Sequence, residues 1–213
     1  MKIRAPQELV DFLGQSKQVR KRELMSLAYD LSPANGTPSS RTCRVSVVLA
    51  YAHWEGFVKD AARAYVRLVS TKSRGLSALK PNFQALVCRQ ELLVAQSATR
   101  RLQPHILLTK RFTDDLAASC TIDADAAIDT ESNLNAAVFE NICLCVGLDY
   151  QKSWATYGPF MDDLFRSRCE VAHGELTTPD GKYAVETVNF AIGAIDRFAT
   201  DIENAAVLAS YLR

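Results

Sequence analysis

The sequence predicts an all-α fold, a single-domain bundle of about six or seven helices. Apolar residues recur at three- and four-residue steps over most of the chain, which is the period of a helix with one buried face. The alternation that is typical of strands is almost absent. The chain has 213 residues, of which 48% are hydrophobic, and this is enough for one domain with its own core. We therefore expect residues 1–213 to form one domain.

Two long helices are predicted in the first third of the chain. The first extends from Pro6 to Leu31, and a Pro- and Gly-containing loop follows it, so residues 1–37 form an N-terminal helix and loop. The second extends from Thr42 to Ser70, where apolar residues keep to one face. Pro38 and the two serines after it supply a stop and a cap for this helix.

Shorter elements are predicted in the middle of the chain. The apolar period indicates one helix from Pro81 to Thr99 and, after Pro104, another from Ile106 to Ala118. Residues 120–132 are small, acidic and weakly periodic, which is typical of a loop. A helix from Asp129 to Leu148 follows, and Gly147 marks its end.

Two further helices complete the bundle. Gly158 and Pro159 place a proline at a first helical position, and the apolar period continues from there to near Gly174. Residues 179–181 (Pro-Asp-Gly) predict a turn. The last helix extends from Tyr183 to Leu212.

Charge is unevenly distributed along the chain. Residues 1–111 hold 19 Lys and Arg against 7 Asp and Glu, whereas residues 112–151 hold eight carboxylates and no Lys or Arg. A basic first half suits a polyanionic partner. It equally suits solvated helix faces whose charge the acidic segment neutralises, and charge alone does not decide between the two.

Several classes of function are excluded by missing motifs. The chain has no GxxxxGK[ST], GxGxxG, HExxH or GxSxG pattern, and the acidic segment lacks the glycine and closing glutamate of an EF-hand. No CxxC pair points to zinc, and we expect the six cysteines to be reduced. We expect no cofactor and no bound metal. No apolar stretch reaches membrane length and no secretion signal is present, so we expect a cytoplasmic protein without a membrane partner.

The three histidines are the side chains best suited to proton transfer near neutral pH. Two of them, His105 and His173, each follow an arginine by five residues. Pro104 separates His105 from Arg100, so one rigid element does not hold that pair. His173 comes at the end of a predicted helix that also carries Arg168, and Gly174 is the expected left-handed residue after it.

Two strings of residues resemble a known family. Residues 168–175 (RCEVAHGE) resemble the Rx4–6H signature of the HEPN superfamily. Residues 51–59 (YAHWEGFVK) resemble the early-helix signature of one bacterial branch, the MAE-like and RiboL-PSP-like HEPN proteins. The later helices follow the order of that branch, and the resemblance extends from about Arg41 to Ala206.

The resemblance implies a metal-independent endoribonuclease that works as a homodimer. His173 would activate the ribose 2′-OH or protonate the leaving oxygen, and Arg168 would neutralise the phosphorane, giving a 2′,3′-cyclic phosphate. It further implies a toxin or antiviral defence effector whose partners are RNA and an antitoxin or defence-system protein. The family usually has Asn, Asp or His after the arginine, whereas Cys169 stands here.

Helix geometry qualifies this assignment. Residues five apart are rotated by about 140°, so Arg168 and His173 converge only if the helix ends between them or a second subunit completes the site. We expect three supporting residues: Arg166 as a phosphate contact, Glu170 as an orienting partner of Arg166 or His173, and Glu55 as a residue that positions Arg168 from below. Glu55 and Glu170 are alternatively ordinary surface ion pairs.

An alternative function remains open at this point. His173 could simply satisfy the carbonyls at the end of its helix. The chain would then be a non-catalytic module of the HEPN fold that binds RNA, a nucleotide or a protein.

Overall fold

A computed structural model describes residues 3–72, 75–114, 116–117, 120–175 and 177–213. Within these ranges it contains ten α-helices and three short 3-10 helices, at Pro33–Asn35, Leu76–Ala78 and Ala155–Tyr157. The α-helices are α1 (Pro6–Asp30), α2 (Ser40–Lys72), α3 (Pro81–Val87), α4 (Arg89–Ser97), α5 (Gln103–Thr113), α6 (Ala124–Ala127), α7 (Ala136–Val146), α8 (Tyr150–Ser153), α9 (Gly158–Ala172) and α10 (Gly181–Val207). Across the described ranges the only β pairing is one antiparallel bridge between Leu79 and Leu212. The predicted all-α class is confirmed.

Helix α2 is the centre of the bundle. It packs along α1 and α10, and α7 and α9 also lie against it. Trp54, in the middle of α2, is 1% exposed and contacts an aromatic cluster, with ring centroids 5.2 Å from Phe139 and 5.9 Å from Trp154. Aromatic pairs at such distances stabilise a core beyond the area they bury. The cluster holds α7, α9 and α10 at set positions around α2, and this places the end of α9 over the first half of α2.

The predicted helix from Pro81 to Thr99 is two helices instead of one. The backbone leaves helical geometry at Cys88, where φ is −88° and ψ is 3°. The prediction was wrong because Cys88 is neither glycine nor proline, and the apolar period continues across the break. Helix α5 begins at Gln103, earlier than predicted, because Pro104 lies in its first turn, where a backbone N–H is not needed.

The acidic segment from 120 to 132 is held against α2. Arg63 donates to the Ile128 carbonyl at 3.0 Å, and Arg67 contacts the Asp125 carboxylate at 2.9 Å. The short helix α6 lies inside this segment, where the sequence predicted only a loop, and the Asp123 side chain caps it. The contacts neutralise part of the basic first half of the chain. The hydrogen bond from Arg67 also lowers the pKa of Asp125.

The predicted start of the helix after the acidic segment is also wrong. Helix α7 begins at Ala136, with Asn135 as its capping residue, and not near Asp129. Glu131 and Ser132 both have a φ of 54°, in the left-handed region. A right-handed helix cannot pass through two such residues, so it starts only after them.

His53 provides a pH-dependent contribution to stability. It lies on α2 with Nε2 3.0 Å from the Glu23 carboxylate of α1. Burial lowers the pKa of His53, and Glu23 only partly opposes this. The unfolded chain therefore takes up a proton more readily than the folded chain, so stability is expected to fall as the pH drops below about 6.5. Urea unfolding at several pH values should show this loss reduced in His53→Gln; an equal loss in both proteins would assign it to other groups.

Candidate active site at the end of α9

Helix α9 ends in a glycine-capped turn that presents His173. The backbone N–H of Gly174 donates to the Val171 carbonyl at 3.2 Å, and that of Glu175 donates to the Glu170 carbonyl at 3.0 Å. Gly174 has a φ of +77°, which a residue without Cβ adopts at no steric cost. This pair of bonds is the Schellman arrangement, and the predicted role of Gly174 at the end of the helix is confirmed.

The Arg168 guanidinium is held by groups from three parts of the chain. Its Cζ lies 4.5 Å from the centre of the Tyr51 ring. Nη2 donates to the Ser132 carbonyl at 2.9 Å and lies 3.8 Å from Glu55 Oε2. Nη1 donates to Cys169 Sγ at 3.6 Å. The side chain is 23% exposed, so these contacts set its position while part of it still meets solvent.

Tyr51 and Glu55 form the floor under Arg168. They are four residues apart on α2 and therefore share one face of that helix. Burial raises the pKa of Tyr51, the Glu55 charge raises it further, and Arg168 opposes the rise. Tyr51 is therefore a neutral phenol at neutral pH. It offers a ring face to the cation and does not act as a base.

The Ser132 contact comes from a turn that the sequence did not indicate. Within the turn, the Glu131 N–H donates to the Asp129 carboxylate at 2.9 Å, and the Asn133 N–H donates to the Thr130 carbonyl at 2.9 Å. Left-handed backbone at Glu131 and Ser132 is unfavourable for residues with side chains, so surrounding contacts must hold it. No glycine or asparagine at either position signals this turn, and sequence reasoning missed it.

His173 faces solvent. Its side chain is exposed and makes no hydrogen bond or ion pair with any residue that the structure describes. Helix α9 continues through Ala172, so it does not end between Arg168 and His173. Arg168 points onto α2, and His173 lies about 140° around the helix from it. The first of the two routes to convergence, an end of the helix between these residues, is therefore excluded. An Arg168 and a His173 could meet in one site only if a second copy of the chain completes it.

Arg166 and Glu170 do not join Arg168 in this chain. The Arg166 side chain is 68% exposed and forms an ion pair with Asp163, one turn earlier on α9. The Glu170 carboxylate pairs with neither Arg166 nor His173 in the described part of the chain. Their predicted supporting roles remain predictions about a bound state.

A groove with a volume of about 630 Å³ lies beside the last turn of α9. Its lining is largely apolar and comes from the start of α2 and the end of α9: Val45, Val48, Leu49, Val171 and Ala172. Arg41 and Arg44 also line it, and neither has an ion-pair partner among the described residues. Sequence reasoning did not single out these arginines. Their three-residue spacing next to the start of a predicted helix was the available signal.

The other two histidines lie elsewhere. His53 packs between α2 and α1, as described above. His105 Nε2 lies 3.1 Å from the Ala98 carbonyl, and this contact links the end of α4 to the start of α5.

No three His, Cys, Asp or Glu side chains in the described ranges are grouped in a way that could hold a metal ion. None of the described helices combines the length and the apolar character needed to cross a bilayer.

Residues 16–204 match the protein family described as RiboL-PSP-HEPN. The matched region contains the whole of α2 and α9, and with them Glu55, Arg168 and His173. Comparisons with curated proteins and with solved structures give no match.

Proposed function

Because the chain belongs to the RiboL-PSP-HEPN family, we propose that it is a metal-independent endoribonuclease of the HEPN type that acts as a homodimer. One observation carries the proposal. The end of α9 presents an exposed imidazole, His173, five residues after a guanidinium, Arg168, that is held on the Tyr51 ring. Proton transfer and charge neutralisation are the two tasks that cleavage of a phosphodiester by its own 2′-OH requires.

The reaction needs one base and one acid. The ribose 2′-oxygen attacks phosphorus, an O2′–P bond forms, and the P–O5′ bond breaks. A neutral His173 takes the proton of the 2′-OH, and the protonated His173 of the second copy supplies a proton to the leaving 5′-oxygen. The products are a 2′,3′-cyclic phosphate and a 5′-hydroxyl.

Arg168 neutralises the extra charge on the phosphorane in this scheme. A guanidinium has more N–H donors than the two hydrogen bonds to Ser132 and Cys169 occupy. The remaining N–H donors can face a phosphate, provided that Tyr51 and Glu55 keep the guanidinium in place. Glu55 and Tyr51 act as positioning residues here, and Arg166 and Glu170 as supporting residues at the rim.

A second copy completes the site through the groove beside α9. The groove is apolar, Val45 in its lining is 44% exposed, and His173 follows Ala172 at its edge. Two such faces related by a two-fold axis would bring both copies of His173 to one cleft. Arg41 and Arg44 would then border the cleft and contact the backbone of the RNA.

A toxin or antiviral effector that cuts RNA in the cytoplasm is the cellular role that this activity supports best. An antitoxin or a defence-system protein would control it. These parts of the proposal rest on the family alone.

A second candidate function is a non-catalytic HEPN-fold module that binds RNA, a nucleotide or a protein. One observation favours it: among the described residues the Arg168 guanidinium already has internal partners, and Cys169 offers only a weak sulfur acceptor next to it. In this case Arg168 serves only to attach the turn at residues 129–133, together with α9, to α2.

Cleavage of single-stranded RNA by the purified protein in excess EDTA tests the proposal. The expected result is cleavage that EDTA does not abolish, with 2′,3′-cyclic phosphate ends identified by mass spectrometry. Salt-sensitive RNA binding without new ends would support the binding module instead. Cleavage that requires a divalent ion would contradict the metal independence. Cleavage that leaves 3′-hydroxyl ends would contradict attack by the 2′-OH.

A further inference from the structure

The hairpin formed by α4 and α5 exposes an unusual amount of apolar surface. The exposed apolar side chains include Leu92, Leu93, Leu102, Ile106, Leu107 and Phe112, with exposed fractions from 39% to 71%. Helix α5 has no buried residue, and α4 buries only Ala95. We call this pair of helices, residues 89–113, the hairpin. Helices that are amphipathic yet unburied indicate a surface that another molecule covers.

A cavity of about 740 Å³ separates the hairpin from the rest of the bundle. Leu93, Val94 and Leu107 line it from the hairpin, and Leu86 and Ala127 line it from the body. It is large enough to receive several apolar side chains, which is the way in which a groove takes up one face of an amphipathic helix.

Arg111 adds a polar feature to the same cavity. Its Nε–H is buried and has no acceptor among the described residues. A buried donor without an acceptor is unfavourable, and an acceptor on an incoming molecule would remove the cost.

The charge of the hairpin indicates the partner. Residues 89–114 carry five Lys and Arg and two carboxylates, Glu91 and Asp114, and the cavity wall holds Glu91 and Asp123 beside Arg89 and Arg111. Arg100, Arg101 and Lys110 have no ion pair in the part of the chain that the structure describes. A second copy of this face would place like charges opposite each other. RNA would leave the aliphatic side chains without apolar contacts, because it binds mainly through stacking on aromatic rings and through phosphate.

We propose that the hairpin binds an acidic amphipathic helix of a partner protein. The apolar side chains of that helix enter the cavity beside Leu93 and Leu107, and its carboxylates contact Arg100, Arg101 and Arg111. The surface is separate from the groove beside α9. The proposal therefore holds whether or not the chain cleaves RNA.

Fluorescence anisotropy with labelled peptides and the full-length chain tests the proposal. The probe is a helical peptide of about 18 residues, or five turns, with Leu at three- and four-residue steps and Glu on the other faces. A second peptide carries Lys in place of every Glu. The acidic peptide is expected to bind, and the lysine peptide to bind at least about tenfold more weakly.

Variants locate the binding site. Leu107→Asp and the double change Arg100→Glu with Arg101→Glu are each expected to weaken binding of the acidic peptide at least about tenfold. These positions are exposed, so the fold should tolerate the changes. Leu208→Asp, at a 75% exposed position beyond the end of α10, is the matched control and should bind as the wild type does.

Five outcomes would overturn the proposal. Three concern the peptides: no binding of the acidic peptide to the wild type, equal binding of the lysine peptide, and binding that Leu107→Asp and the arginine changes leave intact. The fourth is sedimentation showing an oligomer that Leu107→Asp dissociates, which would make a second copy the occupant. The fifth is displacement of the peptide from the wild type by single-stranded RNA, which would assign the surface to RNA.

Discussion

The His173→Ala variant is expected to cleave RNA about 10²–10⁴-fold more slowly than the wild type, because it loses the group that we propose as both the base and the acid of the reaction. Its thermal unfolding should hardly change. The imidazole is exposed and bonds to nothing in the described chain, and changes at such positions alter stability by less than about 0.5 kcal/mol. Initial cleavage rates in EDTA and a thermal melt of each protein measure the two effects separately.

His105→Ala is the matched control for this variant. His105 is also exposed and also follows an arginine by five residues, but it lies on α5, away from the end of α9. It should retain wild-type cleavage. Equal rates for His173→Ala and the wild type would reject the proposed mechanism, and equal losses in both variants would point to a general loss of fold.

The Arg168→Lys variant is expected to lose about 10²–10³-fold in cleavage rate and about 1–2 kcal/mol in stability. Lysine keeps the positive charge, but its ammonium lacks the planar fork of donors that stacks on the Tyr51 ring while it donates to both the Ser132 carbonyl and a phosphate. The turn at residues 129–133 would lose its hydrogen bond to α9, and a bound phosphate would lose a hydrogen-bond donor held in a fixed position. Urea unfolding and cleavage rates are measured on the same preparation.

Arg63→Lys separates the catalytic role of Arg168 from its structural role. Arg63 also holds a backbone turn, through the carbonyls of Asp125 and Ile128, but on a different part of α2. The Arg63→Lys variant should lose about as much stability as Arg168→Lys but keep the wild-type cleavage rate per folded molecule. If both arginine variants keep that rate, Arg168 is only a structural residue and the binding module becomes the better account.

The helices and their ends could be predicted where local rules govern them. The long period along α2, the proline in the first turn of α9 and the glycine after His173 each act over one or two turns, so the sequence pattern reveals them. The break at Cys88 and the late start of α7 escaped the same reasoning. Both depend on how neighbouring segments pack, and no glycine or proline marks them.

The candidate site could be predicted only in part. The strings at 51–59 and 168–175 pointed to Glu55, Arg168 and His173, because they resemble signatures of the HEPN superfamily, whereas the spacing alone is weak evidence. The sequence did not identify the Ser132 carbonyl, since a backbone acceptor can belong to any residue. It also missed Arg41 and Arg44, because only the packing of α2 against α9 makes them part of one groove.

The sequence by itself determined that this chain is an all-α member of the HEPN group, since helical periodicity and two short signatures are local properties. Only the tertiary structure decided the surroundings of Arg168 and His173. Contacts between residues far apart in the chain turn the guanidinium onto Tyr51 and leave the imidazole in solvent. The same long-range packing left the hairpin uncovered, because whether an apolar helix face is buried depends on which other segments reach it.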